Sequence, residues 1–167
     1  MLRPCPKRGV AWTAAVCISI LGAGGGRAGA QTPAPTAADI APAGVENAQR
    51  AWQNWTLNCQ GCHRPDGSGT EATAPSLAGT VARFLSVPGG REYLGRVPGV
   101  ATSALSNQDL AEVVNWMLWR FDREHLPAKF QPYTADEMAR LRTAPLRMEA
   151  SQMRAALLKK ADESQKP

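Results

Sequence analysis

The chain reads as all-α, and three observations predict it. Apolar residues recur at helical spacing in several windows. No run of strand length alternates apolar with polar, and the 13 prolines and 15 glycines are dispersed between short segments. At 167 residues the length suits one compact domain with an extension.

Residues 1–30 read as a secretory signal that is cleaved before folding. Arg3, Lys7 and Arg8 form a basic start, Val10 to Leu21 an apolar run, and Ala28-Gly29-Ala30 a small-x-small cleavage site ahead of Gln31. The run falls short of the roughly 20 residues that span a membrane. Val16 precedes Cys17 where a lipid-anchor signal would carry a small residue, so no membrane association is expected after cleavage. The expected location is the periplasm. Arg3, Lys7, Arg8 and Arg27 leave with this segment, so of 19 Lys and Arg, 15 remain to face 14 Asp and Glu. So balanced a charge gives no reason to expect a nucleic-acid partner. Cys5 and Cys17 leave too, and with them any structural disulfide.

The remaining elements follow in order. Residues 31–44, mostly Ala, Pro and Thr, form a flexible leader with little to bury. A first helix is expected from Val45 to Asn58, with Ala48, Ala51, Trp52 and Trp55 on one face. After Cys59-Gln60-Gly61-Cys62-His63 comes a loop, Arg64 to Gly79, rich in turn residues. Short helical stretches are expected at Thr80 to Ser86 and Arg91 to Arg96, and Pro98-Gly99 opens another loop. Ser106 is an N-cap with Asp109 at its third position, starting a helix to Phe121 that carries Leu110, Val113, Val114, Met117 and Leu118 at helical spacing.

Beyond Phe121, Pro127 and Pro132 exclude a continuous helix. Thr134-Ala135-Asp136-Glu137 fits a capping box and starts a helix to Arg142. Pro145 fits the first turn of a last helix to Ala161, where Leu146, Ala150, Met153 and Leu157 form an apolar stripe. This pair is too small to build a core alone. It is expected to pack on the preceding domain, with docking to a partner subunit as the alternative.

Two cysteines two residues apart with a histidine directly after is the signature of c-type haem attachment. Each thiol adds to one of two vinyl groups on neighbouring pyrroles, which requires cysteines about one helical turn apart. The imidazole that follows can then take the proximal position on the iron. A zinc site would need a second ligand pair, and only His125 remains outside the signal region. A redox dithiol usually follows a strand of a βαβ unit, and none is evident. Haem is the favoured reading, with zinc and a dithiol as the alternatives.

With its surroundings, the motif resembles class I cytochromes c. That family carries a small residue eight positions before the first cysteine and an aromatic four before it, here Ala51 and Trp55. Their face crosses the last core helix, where Trp116 is placed to answer. Asp66-Gly67-Ser68-Gly69 resembles the family's glycine turn, and Pro75-Ser76-Leu77-Ala78-Gly79 its Pro-x-Leu-x-Gly. The resemblance covers about residues 45–121 and leaves 122–167 as a C-terminal helical extension. It implies a cytochrome c fold, with N- and C-terminal helices crossing around one covalent haem c. Cys59 and Cys62 would form the thioethers and His63 the proximal ligand. The Pro75 carbonyl would accept the His63 Nδ1 proton and fix its tautomer.

One departure stands out. The family takes its sixth iron ligand from a methionine ahead of a proline in the loop before the last helix, and here Val97 precedes Pro98. No His or Met occurs between His63 and Met117. The candidates rank as Met117, then no protein ligand, then His125, with Met138, Met148 and Met153 more distant. For the C-terminal extension this departure adds a further alternative beside docking to a partner: covering the haem face left without its methionine.

The resemblance implies a carrier of single electrons, passing from a periplasmic dehydrogenase to a downstream cytochrome or oxidase. No acid–base pair, nucleophile triad or phosphate loop accompanies the motif, so no enzyme is expected. The rival is a ligand-binding, sensor or peroxidase-like haem protein with an open sixth position. A haem-bearing structural subunit is the third possibility.

Overall fold

The computed structural model describes residues 42–71 and 74–164. The expected signal and nearly all of the leader lie outside the described residues. The elements are α1 (Ala48–Asn58), α2 (Gln60–His63), a 3-10 helix (Val81–Ser86), α3 (Gly90–Arg96), α4 (Pro98–Ala101), α5 (Asn107–Asp122), a second 3-10 helix (Arg123–His125), α6 (Ala135–Leu141) and α7 (Ala150–Ser164). Among the described residues the β structure is one isolated bridge, Thr70 with Ala74. The all-α class predicted from the sequence is the class observed.

α1 and α5 cross to form the centre of the core. Ala51 and Trp55 of α1 are buried, as are Leu110, Val114 and Leu118 of α5. Trp55 meets Trp116 at 6.0 Å and Phe121 at 4.8 Å between ring centroids. α5 starts where its cap predicts: Ser106 Oγ accepts from the Asp109 N–H at 3.1 Å and donates to Asp109 Oδ2 at 2.7 Å.

α1 begins at Ala48, not Val45, for one local reason and one from elsewhere in the chain. Glu112 on α5 is buried, and its Oε1 accepts the N–H groups of Glu46 and Asn47 at 2.9 and 2.7 Å. Its Oε2 accepts from Arg50 Nε at 2.8 Å, while the Asn47 side chain caps the Arg50 N–H. A carboxylate at a helix N-terminus satisfies donors that have no partner inside the helix and complements the helix dipole. That pins the start three residues later than the apolar pattern suggests.

The chain after Phe121 packs on this core. Asn115 of α5 donates to the carbonyls of Gly44 and Tyr133 and accepts the Tyr133 N–H, tying both flanking segments to α5. α6 packs on α5 and α3, and α7 on the Val81–Ser86 helix and α3. Met138, Leu146, Leu157 and Ala161 are buried beneath them. Arg91 of α3 grips Glu137 with two hydrogen bonds of 2.6 Å.

Two further boundaries differ from expectation. Pro98–Ala101 is a helical turn with proline at its first position, not loop. The last helix begins at Ala150, not Pro145, and continues to Ser164. The Leu146 N–H donates to the Arg96 carbonyl at 2.8 Å, and Arg96 Nε donates to the Ala144 carbonyl at 2.7 Å. Residues 144–146 are thereby bound to the end of α3 and unavailable for a helical turn of their own.

Candidate functional site

The site starts where α1 ends. The Cys59 N–H still bonds the Trp55 carbonyl at 2.9 Å, but Cys59 itself leaves helical geometry at φ −126°. One further turn, α2, carries Cys62 and His63, with the His63 N–H on the Cys59 carbonyl at 3.0 Å. Both thiols are free and lie one helical turn apart.

The following loop folds back over His63. Gly67 and Gly69 have φ of +73° and +75°, in the left-handed region that favours glycine. A Cβ at Gly67 would come within 2.6 Å of the Phe121 ring, and one at Gly69 would strike the carbonyl of Ala74. The Gly69 N–H bonds the His63 carbonyl at 3.0 Å, and the Leu77 N–H bonds the Gly67 carbonyl at 2.8 Å. Closed this way, the loop sets the Pro75 carbonyl 3.2 Å from His63 Nδ1. Burial holds the His63 imidazole below its ordinary pKa, against the Pro75 carbonyl, which favours the charged ring. A neutral ring donating Nδ1–H to Pro75 keeps its lone pair on Nε2, the form that binds metal. Burial first, then neighbouring Cys62, pushes the Cys59 thiol up to about 11.

These groups open on a cleft of about 410 Å³. Trp55, Cys59, Cys62 and His63 line one part of it, and Pro75, Ser76 and Leu77 continue that wall. Val81, Phe84, Tyr93 and Leu94 give an apolar flank, and Val97, Pro98, Gly99, Val100 and Met117 another. Arg147, Ala150, Ser151 and Arg154 also line it, from the start of α7 and the turn before it.

The cleft brings together Cys59, Cys62, His63, Pro75 and Met117. His125 is not among its lining residues and bonds Asp122 Oδ1 through Nδ1 at 2.5 Å. Met138, on α6, is buried and not among the lining residues, and Met148 is 95% exposed. Among the described residues no three His, Cys, Asp or Glu side chains gather as a metal site would require.

Comparison with known proteins gives the cleft its context. Over 106 residues the chain is 33% identical to cytochrome c-552 of Thermus thermophilus, a match covering 53% of this chain and 81% of that protein. A second cytochrome c-552, from a named strain of the same organism, matches at 33% with 72% of its length covered. The chain belongs to the cytochrome c family. No family model matches it, and no solved structure does either.

As a cytochrome c, the protein has haem c as its cofactor, and the cleft has the residues for it. A porphyrin held this way needs apolar side chains, two thiols and an imidazole, and all of these are among the residues that line the cleft. Among the described residues of this cytochrome, no helix is long and apolar enough to cross a membrane. That the extension covers the haem face was an alternative in the sequence, but which of its residues line the cleft was not read there: Ala150 belongs to the apolar stripe, Ser151 and Arg154 follow it on α7, and Arg147 lies in the turn before the helix.

Proposed function

We propose that this cytochrome carries single electrons in the periplasm, with one haem c seated in the cleft. Residues 1–30 are the cleaved signal, 31–44 the leader, 45–121 the haem domain and 122–167 an extension docked on it. The observation that supports the reading is the meeting of Cys59, Cys62, His63 and Met117 around one apolar cleft.

The haem supplies one-electron chemistry by cycling its iron between the ferric and ferrous states. The protein's part is to bind and orient it. Cys59 and Cys62 hold the porphyrin edge through thioethers. His63 ligates through Nε2, while the Pro75 carbonyl keeps the Nδ1 proton and the ring plane in place. Met117, buried on α5 and lining the cleft together with Val97, would serve as the sixth ligand where the usual methionine position holds Val97. Val81, Phe84, Leu94, Val97 and Val100 exclude water, which sets the potential along with the axial ligands. The partners are a periplasmic dehydrogenase as donor and a downstream cytochrome or oxidase as acceptor.

Val97 also supports a second reading, an open sixth position for ligand binding or peroxide chemistry. Absorption spectra of the purified holoprotein, with and without carbon monoxide, decide between them. Methionine ligation predicts a weak band at the red edge of the ferric spectrum, lost in Met117→Ala, and no carbon monoxide binding. A high-spin spectrum with rapid carbon monoxide binding would overturn the carrier reading in favour of the open site.

A further inference from the structure

Two cations in the cleft wall have no role in electron carriage as described above. Arg147 and Arg154 stand seven positions apart, with Ala150 and Ser151 between them at helical spacing, and all four line the cleft. Arg50, Arg83 and Arg91 each pair with a carboxylate. Among the described residues neither Arg147 nor Arg154 has such a partner. Arg154 is half-buried, with Nη2 donating to the Ser76 carbonyl at 3.3 Å and its guanidinium carbon 5.8 Å from the centre of the Phe84 ring. A guanidinium held there keeps most of its five donors unspent.

The placement of α7 says what those donors face. The segment enters beside Val97, where Leu146 is bonded to Arg96, and within one turn of α7 reaches Ser76, next to the His63 partner Pro75. It packs on the Val81–Ser86 helix and α3, the part of the wall that α1 and α2 do not supply. Haem carries its two vinyl groups on one edge and two propionate carboxylates on the opposite edge. Once Cys59 and Cys62 hold the vinyl edge, two carboxylates must enter the far side of the cleft. A carboxylate taken from water without a cation is costly, and a guanidinium fork fits a carboxylate through paired hydrogen bonds.

We propose that the C-terminal helix is the propionate-binding wall of this haem pocket, with Arg154 and Arg147 as the partners of the two haem carboxylates. This rests on the haem reading above. The extension is then part of the cofactor site, and its cations bias the iron towards the ferrous state by opposing positive charge on the ferric form.

The test uses the full-length holoprotein, with Arg154→Gln, Arg154→Lys and Arg147→Gln beside wild type. The readouts are midpoint potential at one pH and the propionate bending modes in resonance Raman spectra. Arg154→Gln is expected to lower the potential and shift the propionate modes, Arg154→Lys to recover part of both, and Arg147→Gln, at the exposed rim, to act in the same direction by less. Potentials and propionate modes equal to wild type in both Gln variants would overturn the proposal. Slower reaction with an electron donor at unchanged potential would overturn it too, because the arginines would then serve partner docking. If Arg154→Gln does not fold, the Arg147→Gln and Arg154→Lys spectra carry the same decision. A wild-type protein without covalent haem would instead remove the underlying haem reading.

Discussion

The two faces of the cleft are built by opposite means. The face bearing His63 is assembled mostly by near neighbours: among the described residues, bonds such as Gly69 N–H to His63 and Leu77 N–H to Gly67 close the segment on itself. The face bearing Val97 is assembled from far away. Arg142, at the end of α6, donates to the carbonyls of Ala101, Ser103 and Leu105 and to Asn107 Oδ1. Leu146 and Ala144 hold Arg96, and Gly95 lies against Leu141. A local motif carries its own geometry, whereas the opposite wall takes its shape from a segment some forty residues on.

Substitutions on the two faces should therefore fail differently. The largest expected effect is Trp55→Ala, which empties the crossing of α1 and α5 and removes the ring 6.0 Å from His63. It should cost about 3–5 kcal/mol in urea unfolding and reduce haem incorporation. A loss below about 1 kcal/mol would show that the aromatic cluster does not hold the His63 face.

Next is Arg142→Ala, which strips four acceptors of one donor group. We expect a loss of roughly 2–3 kcal/mol with covalent haem retained and carbon monoxide binding appearing where wild type shows none, because only the Val97 face loosens. Equal damage to haem attachment would break the distinction between the faces. Gly95→Ala puts a Cβ against the Leu141 side chain, and overpacking there should cost about 1–2 kcal/mol. Pairing it with Leu141→Ala should recover most of the loss, and additive losses would contradict the contact.

The smallest is Ser106→Ala, worth about 1 kcal/mol as a lost N-cap. It should leave the reduction potential unchanged, since α5 is held from both faces.

The same contrast explains what could be read from the sequence. Cys59, Cys62 and His63 announce themselves by spacing and the Gly67–Gly69 turn by its residues, because their geometry is local, while the part of Pro75 was implied by the resemblance to the family. Ser106 and Thr134 announce helix starts for the same reason. The starts at Ala48 and Ala150 did not, because Glu112 and Arg96 help to decide them through tertiary hydrogen bonds. Nor did the helical turn at Pro98–Ala101, since Pro-Gly reads as loop until Arg142 is seen to grip the chain that follows. The two arginines gave no such signal. Arg154 lies on the same side of α7 as the buried Leu157 and Ala161, at i−3 and i−7 to them, and Arg147 lies in the turn before the helix. Which face meets the cleft depends on where α7 docks.

The most direct test of the account is the mass of the acid-denatured protein. Thioethers survive denaturation, so the wild-type chain should carry the added mass of one haem, and a Cys59→Ala, Cys62→Ala double variant should carry none. A wild-type mass equal to the polypeptide alone would contradict the central claim that these two thiols hold the cofactor.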